Sequence, residues 1–244
     1  MLSRVRELQR RWRWFGFTVV LVGLTTILVS GARMPARSFV IPDNVRIDAS
    51  PTERIRALWM LSGQAQNDLE TRFEGESDED YLRRTANTRR LMLNIAWFES
   101  VRLQYRRQIR GPARSFYQIE PIRAMSCCQM AERRGWMDEL SAACGLAEVE
   151  LVDACGKLTR THWPKGNLVE QCLVENDLFA TYLTRVCLAP IPETVPGDLQ
   201  RQSNIWAGRW KRAFSSEEQR EKQMAGFVES AKLAAPLIPV DELP

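Results

Sequence analysis

The feature that most constrains this chain is an uncharged run near its N-terminus, residues 14–32. A helix of roughly 19 residues, at 1.5 Å of rise per residue, spans the hydrocarbon core of a bilayer, which is about 30 Å thick. Arginines crowd the segment before the run, and positive residues stay on the cytoplasmic side of a membrane. The sequence therefore predicts a basic cytoplasmic tail over 1–13, a transmembrane helix over 14–32, and the rest of the chain outside the cytoplasm.

Two other interpretations of this run stay open. Residues 29–32 are small and resemble the end of a cleavable signal peptide, and a run of this length is also compatible with a buried helix of a soluble domain. The anchored interpretation predicts a single-pass protein of the inner membrane, with its N-terminus in the cytoplasm and its domain in the periplasm. If the chain is a phage protein, the same topology predicts association with a virion or with a host membrane.

The chain after the run is predicted to be mainly α-helical. Residues 33–50 contain prolines and no helical period, which predicts an extended tether, and residues 51–240 form one helical domain. The strongest helical period runs from Ser77 to Glu99, where Ser77-x-x-Asp80 is close to a capping box. Further helices are predicted over 52–69 with Thr52 as its cap, 119–133, 136–144, 146–158, 168–189, 200–213 and 216–234.

Six cysteines, all after the uncharged run, permit up to three disulfides in an extracytoplasmic domain, with 15 connectivities. Cys127 and Cys128 are adjacent, so each is expected to reach a separate partner. The alternative is that the thiols are free and buried, as small apolar side chains. There is no C-x-x-C and a single His, so the sequence predicts neither a zinc site nor any other metal.

The charge pattern argues against nucleic acid as a partner. The net charge is +4, and basic residues are mostly interleaved with acidic ones. The exception is a basic loop that either attracts an anionic polymer or is simply solvated. Its arginines are Arg102, Arg106, Arg107, Arg110 and Arg114.

Two short motifs carry the candidate chemistry, Glu99-Ser100 at the end of the long helix and residues 115–121 after the basic loop. The residues that precede Glu99 are apolar, and an apolar setting raises the pKa of a carboxyl. A Glu that is protonated near neutral pH can act as the general acid in glycoside cleavage. The alternative is an ordinary solvated Glu at a helix end.

The order of these motifs resembles the signature of lysozyme-like transglycosylases, in which Glu-Ser is followed by Gly-Leu-Met-Gln-Ile-x-Pro. The resemblance implies that Glu99 is the lone catalytic acid, and that Gln118 hydrogen-bonds an N-acetyl group or a hydroxyl of the sugar. It also implies that Tyr117 and Phe116 line the wall of the cleft, and that Ser115 belongs to the same substrate-binding segment. No cofactor is implied.

The chain departs from the family at three points. Ser115 replaces the usual Gly and Tyr117 replaces the usual Met. The family's later Ala-Tyr-Asn motif, whose Tyr helps to position the acid, is absent, and Tyr182 in Ala180-Thr181-Tyr182 is the nearest substitute. A closer resemblance, over roughly residues 85–235, is to predicted lysozyme-like proteins of tailed phages. It is carried by Glu99-Ser100 and, in order, by the segments 106–109, 111–114 and 116–120.

The resemblance implies a membrane-anchored enzyme that cleaves the MurNAc–GlcNAc bond of peptidoglycan with one catalytic Glu. A hydrolase needs a second carboxylate about 5–10 Å from the acid, and the candidates Glu120, Glu74 and Glu76 have no clear spacing from Glu99. A lytic transglycosylase needs only one carboxyl, because the 6-hydroxyl of the substrate closes the anhydro ring, and the sequence favours it.

The alternative from a different class is a non-catalytic, membrane-anchored component of a virion or envelope apparatus, which binds cell wall or partner proteins. A fold can outlive its activity, and the departures at Ser115 and Tyr117 favour this alternative. The expected partners are therefore peptidoglycan, a membrane, and phage virion or envelope proteins.

Overall fold

The computed structural model describes residues 44–70, 72–109, 111–189, 194–211 and 214–239. These residues are mainly α-helical, which confirms the predicted class. The predicted cytoplasmic tail, the predicted transmembrane helix and residues 33–43 of the predicted tether lie outside the described residues. Within the described ranges, no helix has both the length and the apolar character needed to cross a membrane.

Most helices lie within a few residues of the predicted positions, and the long connection from Glu99 to Pro121 contains the basic loop and the second motif. The helices are α1 Pro51–Leu69, α2 Asp78–Glu99, α3 Pro121–Arg134, α4 Met137–Cys144, α5 Glu148–Gly156, α6 Leu168–Glu175, α7 Asp177–Leu188, α8 Leu199–Ile205 and α9 Glu217–Ala234. A π-helix, Trp206–Lys211, continues directly from α8, and a short 3₁₀ turn, Ala235–Leu237, follows α9.

Two helix boundaries differ from the predicted ones. The cap of α1 is Ser50 and not Thr52, because Ser50 and Glu53 form a capping box in which each side chain accepts from the other residue's backbone N–H. The single helix predicted over 168–189 is interrupted at Asn176. Its side chain accepts from the backbone N–H of Phe179 at 2.9 Å and so begins α7.

The core is built around α7, which packs against α1, α3, α4 and α6. Its two buried threonines, Thr181 and Thr184, donate to carbonyls one turn earlier, so their hydroxyls are satisfied within the helix. On the other side, α2 packs against both α1 and α9, and α9 also packs against α8. This arrangement places the C-terminal end of α2 beside the π-helix that follows α8.

Three disulfides join the helices, which confirms the disulfide interpretation of the cysteines. Cys127–Cys187 links α3 to α7, Cys128–Cys155 links α3 to α5, and Cys144–Cys172 links α4 to α6. The adjacent cysteines reach separate partners, as predicted. The bridges close segments of 60, 27 and 28 residues, and loops of this size correspond to roughly 3.5–4.5 kcal/mol each in the loop-entropy account.

The predicted tether ends earlier than residue 50. Val45 is buried in the core, and its N–H donates to Asp177 Oδ2 at 2.7 Å. Asn44 Oδ1 accepts from the backbone N–H of Asp177 at 3.0 Å. Residues 44–50 therefore belong to the domain, and the prediction of an extended tether is wrong for them. The partner that fixes them lies more than 130 positions away in the sequence.

Candidate active site

Glu99 is the last residue of α2, and its side chain is partly accessible. Its Oε1 accepts a hydrogen bond from Trp206 Nε1 at 2.8 Å. Burial raises the pKa of the Glu99 carboxyl above the ordinary value of 4.5; among the nearby charges, Lys211 lowers it and Glu120 raises it. This agrees with the pKa shift expected from the apolar residues before Glu99. A carboxyl that is partly accessible and holds its proton to higher pH suits a general acid.

Aromatic rings provide the apolar setting. Phe98 meets Trp206 edge-on with ring centroids 5.1 Å apart, and Trp206 stacks on Phe227 at 5.2 Å. Phe214 approaches Trp206 from a third direction at 6.2 Å. Trp206 is fully buried, and an indole N–H is a donor only, so the carboxyl of Glu99 satisfies a group that would otherwise be costly to bury.

The π-helix Trp206–Lys211 presents this indole to Glu99. Arg123, on α3, holds the π-helix in place: its Nη1 donates to the carbonyl of Arg209 at 3.2 Å, and its guanidinium lies 4.4 Å from the centre of the Trp210 ring. The guanidinium also bonds the carbonyl of Trp210. The partner of the acid is therefore fixed from α3 as well as from α8.

A left-handed turn follows Glu99. Val101, Arg102 and Leu103 have φ of 52°, 62° and 59°, a conformation that costs a residue with a side chain about 1–2 kcal/mol. Side-chain hydrogen bonds hold this turn in addition to its backbone bonds. The N–H of Leu103 donates to Ser100 Oγ at 2.9 Å, and Arg54 Nη1 donates to the carbonyl of Leu103 at 2.9 Å. Strain that the surrounding structure maintains is concentrated at functional sites, and it lies here directly beside the candidate acid.

A second strained turn carries the other motif. Ser115 and Gln118 have φ of 64° and 51°. Glycine adopts positive φ at no steric cost, so Ser115 has a conformation that glycine would adopt more readily. Ser115 Oγ accepts from the N–H of Tyr117 at 3.2 Å and so supports the turn.

Gln118 is partly exposed, and the structure connects it to the end of α2. Its Nε2 donates to the carbonyl of Ser115 at 2.8 Å and to the carbonyl of Tyr105 at 3.2 Å. The N–H of Tyr105 in turn donates to the carbonyl of Ser100 at 3.2 Å. The structure thus brings the two predicted motifs to one corner of the domain. Glu120, just after Gln118, acts electrostatically on Glu99.

Phe116 and Tyr117 do not line a cleft in this structure. Each is 1% exposed, so the prediction that they form its wall is wrong. The Tyr117 hydroxyl lies 3.2 Å from Thr181 Oγ1 on α7, and Arg106 covers the Phe116 ring at 4.6 Å. Burying a large apolar side chain contributes about 1.5–3 kcal/mol, and the strained turn directs both rings inward, where they gain that stabilisation.

Tyr182 does not position the acid either. Its hydroxyl hydrogen-bonds the side chain of Asp68 on α1. The group that contacts Glu99 is Trp206, which sequence reasoning noticed only as part of a Trp-containing helix. The one available signal was its spacing from Trp210 on a predicted helix, and nothing local connects it with a residue 107 positions earlier.

The basic loop is less exposed than predicted. Arg106 forms an ion pair with Asp177, and Arg114 pairs with Glu170 at 2.8 Å, so these two arginines hold the fold together. Arg102 and Arg107 are exposed, as the basic-loop prediction requires. Arg110 lies outside the described residues.

Two of the three candidates for a second carboxylate, Glu74 and Glu76, are not among the charged groups that shift the pKa of Glu99. Glu76 pairs with Arg84 at 2.8 Å, and Glu74 is exposed in the turn before α2. In the described part of the chain, no group of three or more His, Cys, Asp or Glu is arranged to hold a metal ion.

No family model, curated protein or solved structure matches this chain.

Proposed function

We propose that this chain is a membrane-anchored, peptidoglycan-degrading enzyme with a lysozyme-like helical domain. It cleaves the MurNAc–GlcNAc bond with Glu99 as its single catalytic acid, as a lytic transglycosylase. The observation that carries the proposal is the Glu99 carboxyl, which is partly accessible, has a raised pKa and receives a hydrogen bond from a buried indole. The proximity of Gln118, through Tyr105 and Ser100, supports the same site.

The reaction requires Glu99 to donate one proton and later to take one back. Glu99 donates its proton to the glycosidic oxygen, the bond between that oxygen and C1 breaks, and positive charge develops at C1. The Glu99 carboxylate then takes the proton of the C6 hydroxyl while O6 bonds to C1. This closes the 1,6-anhydro ring and restores the protonated acid. The Trp206 N–H stabilises the carboxylate between these two steps, because it donates to the charged oxygen.

The transglycosylase mechanism is preferred to hydrolysis because it needs only one carboxyl. Inverting and retaining glycosidases need a second carboxylate at a defined separation from the acid. Glu76 is neutralised by Arg84, and Glu120 is the remaining candidate with an electrostatic effect on Glu99. The transglycosylase reaction needs neither of them.

The disulfides support the proposed compartment. Three bridges in one domain form and persist in oxidising environments such as the periplasm or the virion surface. Together with the uncharged run over 14–32, they support a domain on the periplasmic side of the inner membrane, or a domain on a host membrane if the protein belongs to a phage.

A second candidate function is a non-catalytic wall-binding or structural component of an envelope or virion. The burial of Phe116 and Tyr117 favours it, because it removes two of the expected contacts with the glycan. Digestion of purified peptidoglycan by the full chain, beside Glu99→Gln, separates the two. Anhydro-muropeptides from the wild type alone support the proposal, reducing-end products require a hydrolase with a second carboxylate, and intact peptidoglycan with both proteins favours the structural component.

A further inference from the structure

The main chain of Tyr105 joins the two strained turns. Its N–H donates to the carbonyl of Ser100, at the end of α2, and its carbonyl accepts from Gln118 Nε2, each at 3.2 Å. Tyr105 therefore lies between the helix end that bears the candidate acid and the turn that bears the candidate sugar-binding amide. All five described non-glycine residues with positive φ lie in the two turns that flank it, at 101–103 and at 115 and 118.

The side chain of Tyr105 is left open to solvent. It is 43% exposed, and among the described residues its hydroxyl has no hydrogen-bond partner and its ring has no aromatic or cationic neighbour. The other tyrosines are engaged: Tyr81 by arginines, Tyr117 by Thr181 and Tyr182 by Asp68. The main chain of Tyr105 is thus held between the two turns, and its ring is exposed and available to a ligand.

The amide of Gln118 has a defined polarity. Its Nε2 donates to two backbone carbonyls, those of Ser115 and Tyr105, so both donor hydrogens are used inside the protein. Its Oε1 accepts no hydrogen bond from the described part of the chain, and it can only accept. A ligand at this position must therefore offer a donor, such as the N–H of an acetamido group.

We propose that Tyr105 is the stacking platform of a sugar subsite, on which the apolar face of an N-acetylhexosamine ring packs while its acetamido N–H donates to Gln118 Oε1. This inference rests on the proposed function, and it assigns to Tyr105 the aromatic contact that Phe116 and Tyr117 do not provide. Aromatic faces bind apolar surface, and the acetamido N–H is a donor that the open acceptor of Gln118 can receive.

The test is titration calorimetry with chitotetraose, a chain of N-acetylglucosamine, on the full chain carrying Glu99→Gln so that no ligand is cleaved. Adding Tyr105→Ala is expected to raise Kd about tenfold, the equivalent of losing one aromatic contact, whereas Tyr105→Phe keeps the ring and stays within about twofold. Alanine retains both main-chain hydrogen bonds of residue 105, so the turns keep their support.

Tyr81→Ala is the matched control. Tyr81 lies in the first turn of α2, about 27 Å along the helix from Glu99 at 1.5 Å per residue, so its truncation should leave Kd unchanged. If Tyr105→Ala binds chitotetraose as tightly as its parent does, the stacking role is overturned and the proposed function stands. If the parent binds no chitotetraose and the wild type leaves peptidoglycan intact, the proposed function fails and this inference fails with it.

Discussion

The hydrogen bond from Trp206 to Glu99 makes a specific prediction for Trp206→Phe. The indole N–H favours the charged form of the carboxyl, so it lowers the pKa of Glu99 against the larger effect of burial. Phenylalanine keeps a ring on Phe227 but has no donor. The pKa of Glu99 is therefore expected to rise, and the alkaline limb of the pH–rate profile should move to higher pH.

The same substitution has a cost in rate and in stability. Without the indole the carboxyl loses its fixed orientation, and a displacement of about 1 Å at a reacting group lowers kcat by about 100-fold. The free energy of unfolding should fall by roughly 2–4 kcal/mol, from the smaller ring at a fully buried position and from a carboxyl oxygen left without its donor. Peptidoglycan turnover across pH measures the first effect, and urea unfolding measures the second.

Trp59→Phe is the control for lost volume. Trp59 is also fully buried, but its Nε1 has no hydrogen-bond partner among the described residues, and it lies on α1. This variant should lose stability without a shift of the pH–rate profile. The reasoning is refuted if Trp206→Phe leaves the alkaline limb where it is in the wild type, or if Trp59→Phe moves it equally far.

Three further predictions concern stability. The free energy of unfolding, measured in urea, should be about 1 kcal/mol higher for Ser115→Gly than for Ser115→Ala, since only glycine adopts the φ of 64° freely. Equal values would contradict this. Replacing Cys127 and Cys187 with Ser should remove up to about 4 kcal/mol in the same assay, and an unchanged midpoint would exclude that bridge. Because the folded-state pKa of Glu99 is raised, its protonated form stabilises the fold at low pH, and this contribution is lost as pH rises above 4.5. Glu99→Gln should therefore have a higher Tm than the wild type at neutral pH and the same Tm below pH 4.5; a lower Tm at neutral pH would contradict the sign.

Local signals in the sequence predicted much of the helical framework. The apolar period and the cap at Ser77 gave α2 and its end at Glu99, and the apolar residues before Glu99 gave the direction of its pKa shift. The adjacent cysteines indicated two separate bridges. These features depend on neighbours in the sequence, or on rules that hold wherever the segment packs.

What the sequence did not predict depends on distant contacts. Trp206 meets Glu99 across 107 positions, and Val45 joins the core through Asp177 across 132. The inward direction of Phe116 and Tyr117 follows from positive φ at residues whose side chains disfavour it, so propensity argued against the conformation that packing imposes. The break at Asn176 had a local signal, an Asn that can cap, inside a helical period that concealed it.

The central claim is that burial raises the pKa of the Glu99 carboxyl and that this carboxyl supplies the proton for cleavage. Carbon-13 NMR of the full chain with labelled Glu side chains, with the Glu99 signal assigned by its loss in Glu99→Gln, measures the pKa of that carboxyl directly. The account predicts a titration midpoint above 4.5 that coincides with the alkaline limb of peptidoglycan cleavage. A midpoint at or below 4.5, or cleavage whose pH dependence does not follow the titration of Glu99, would contradict it.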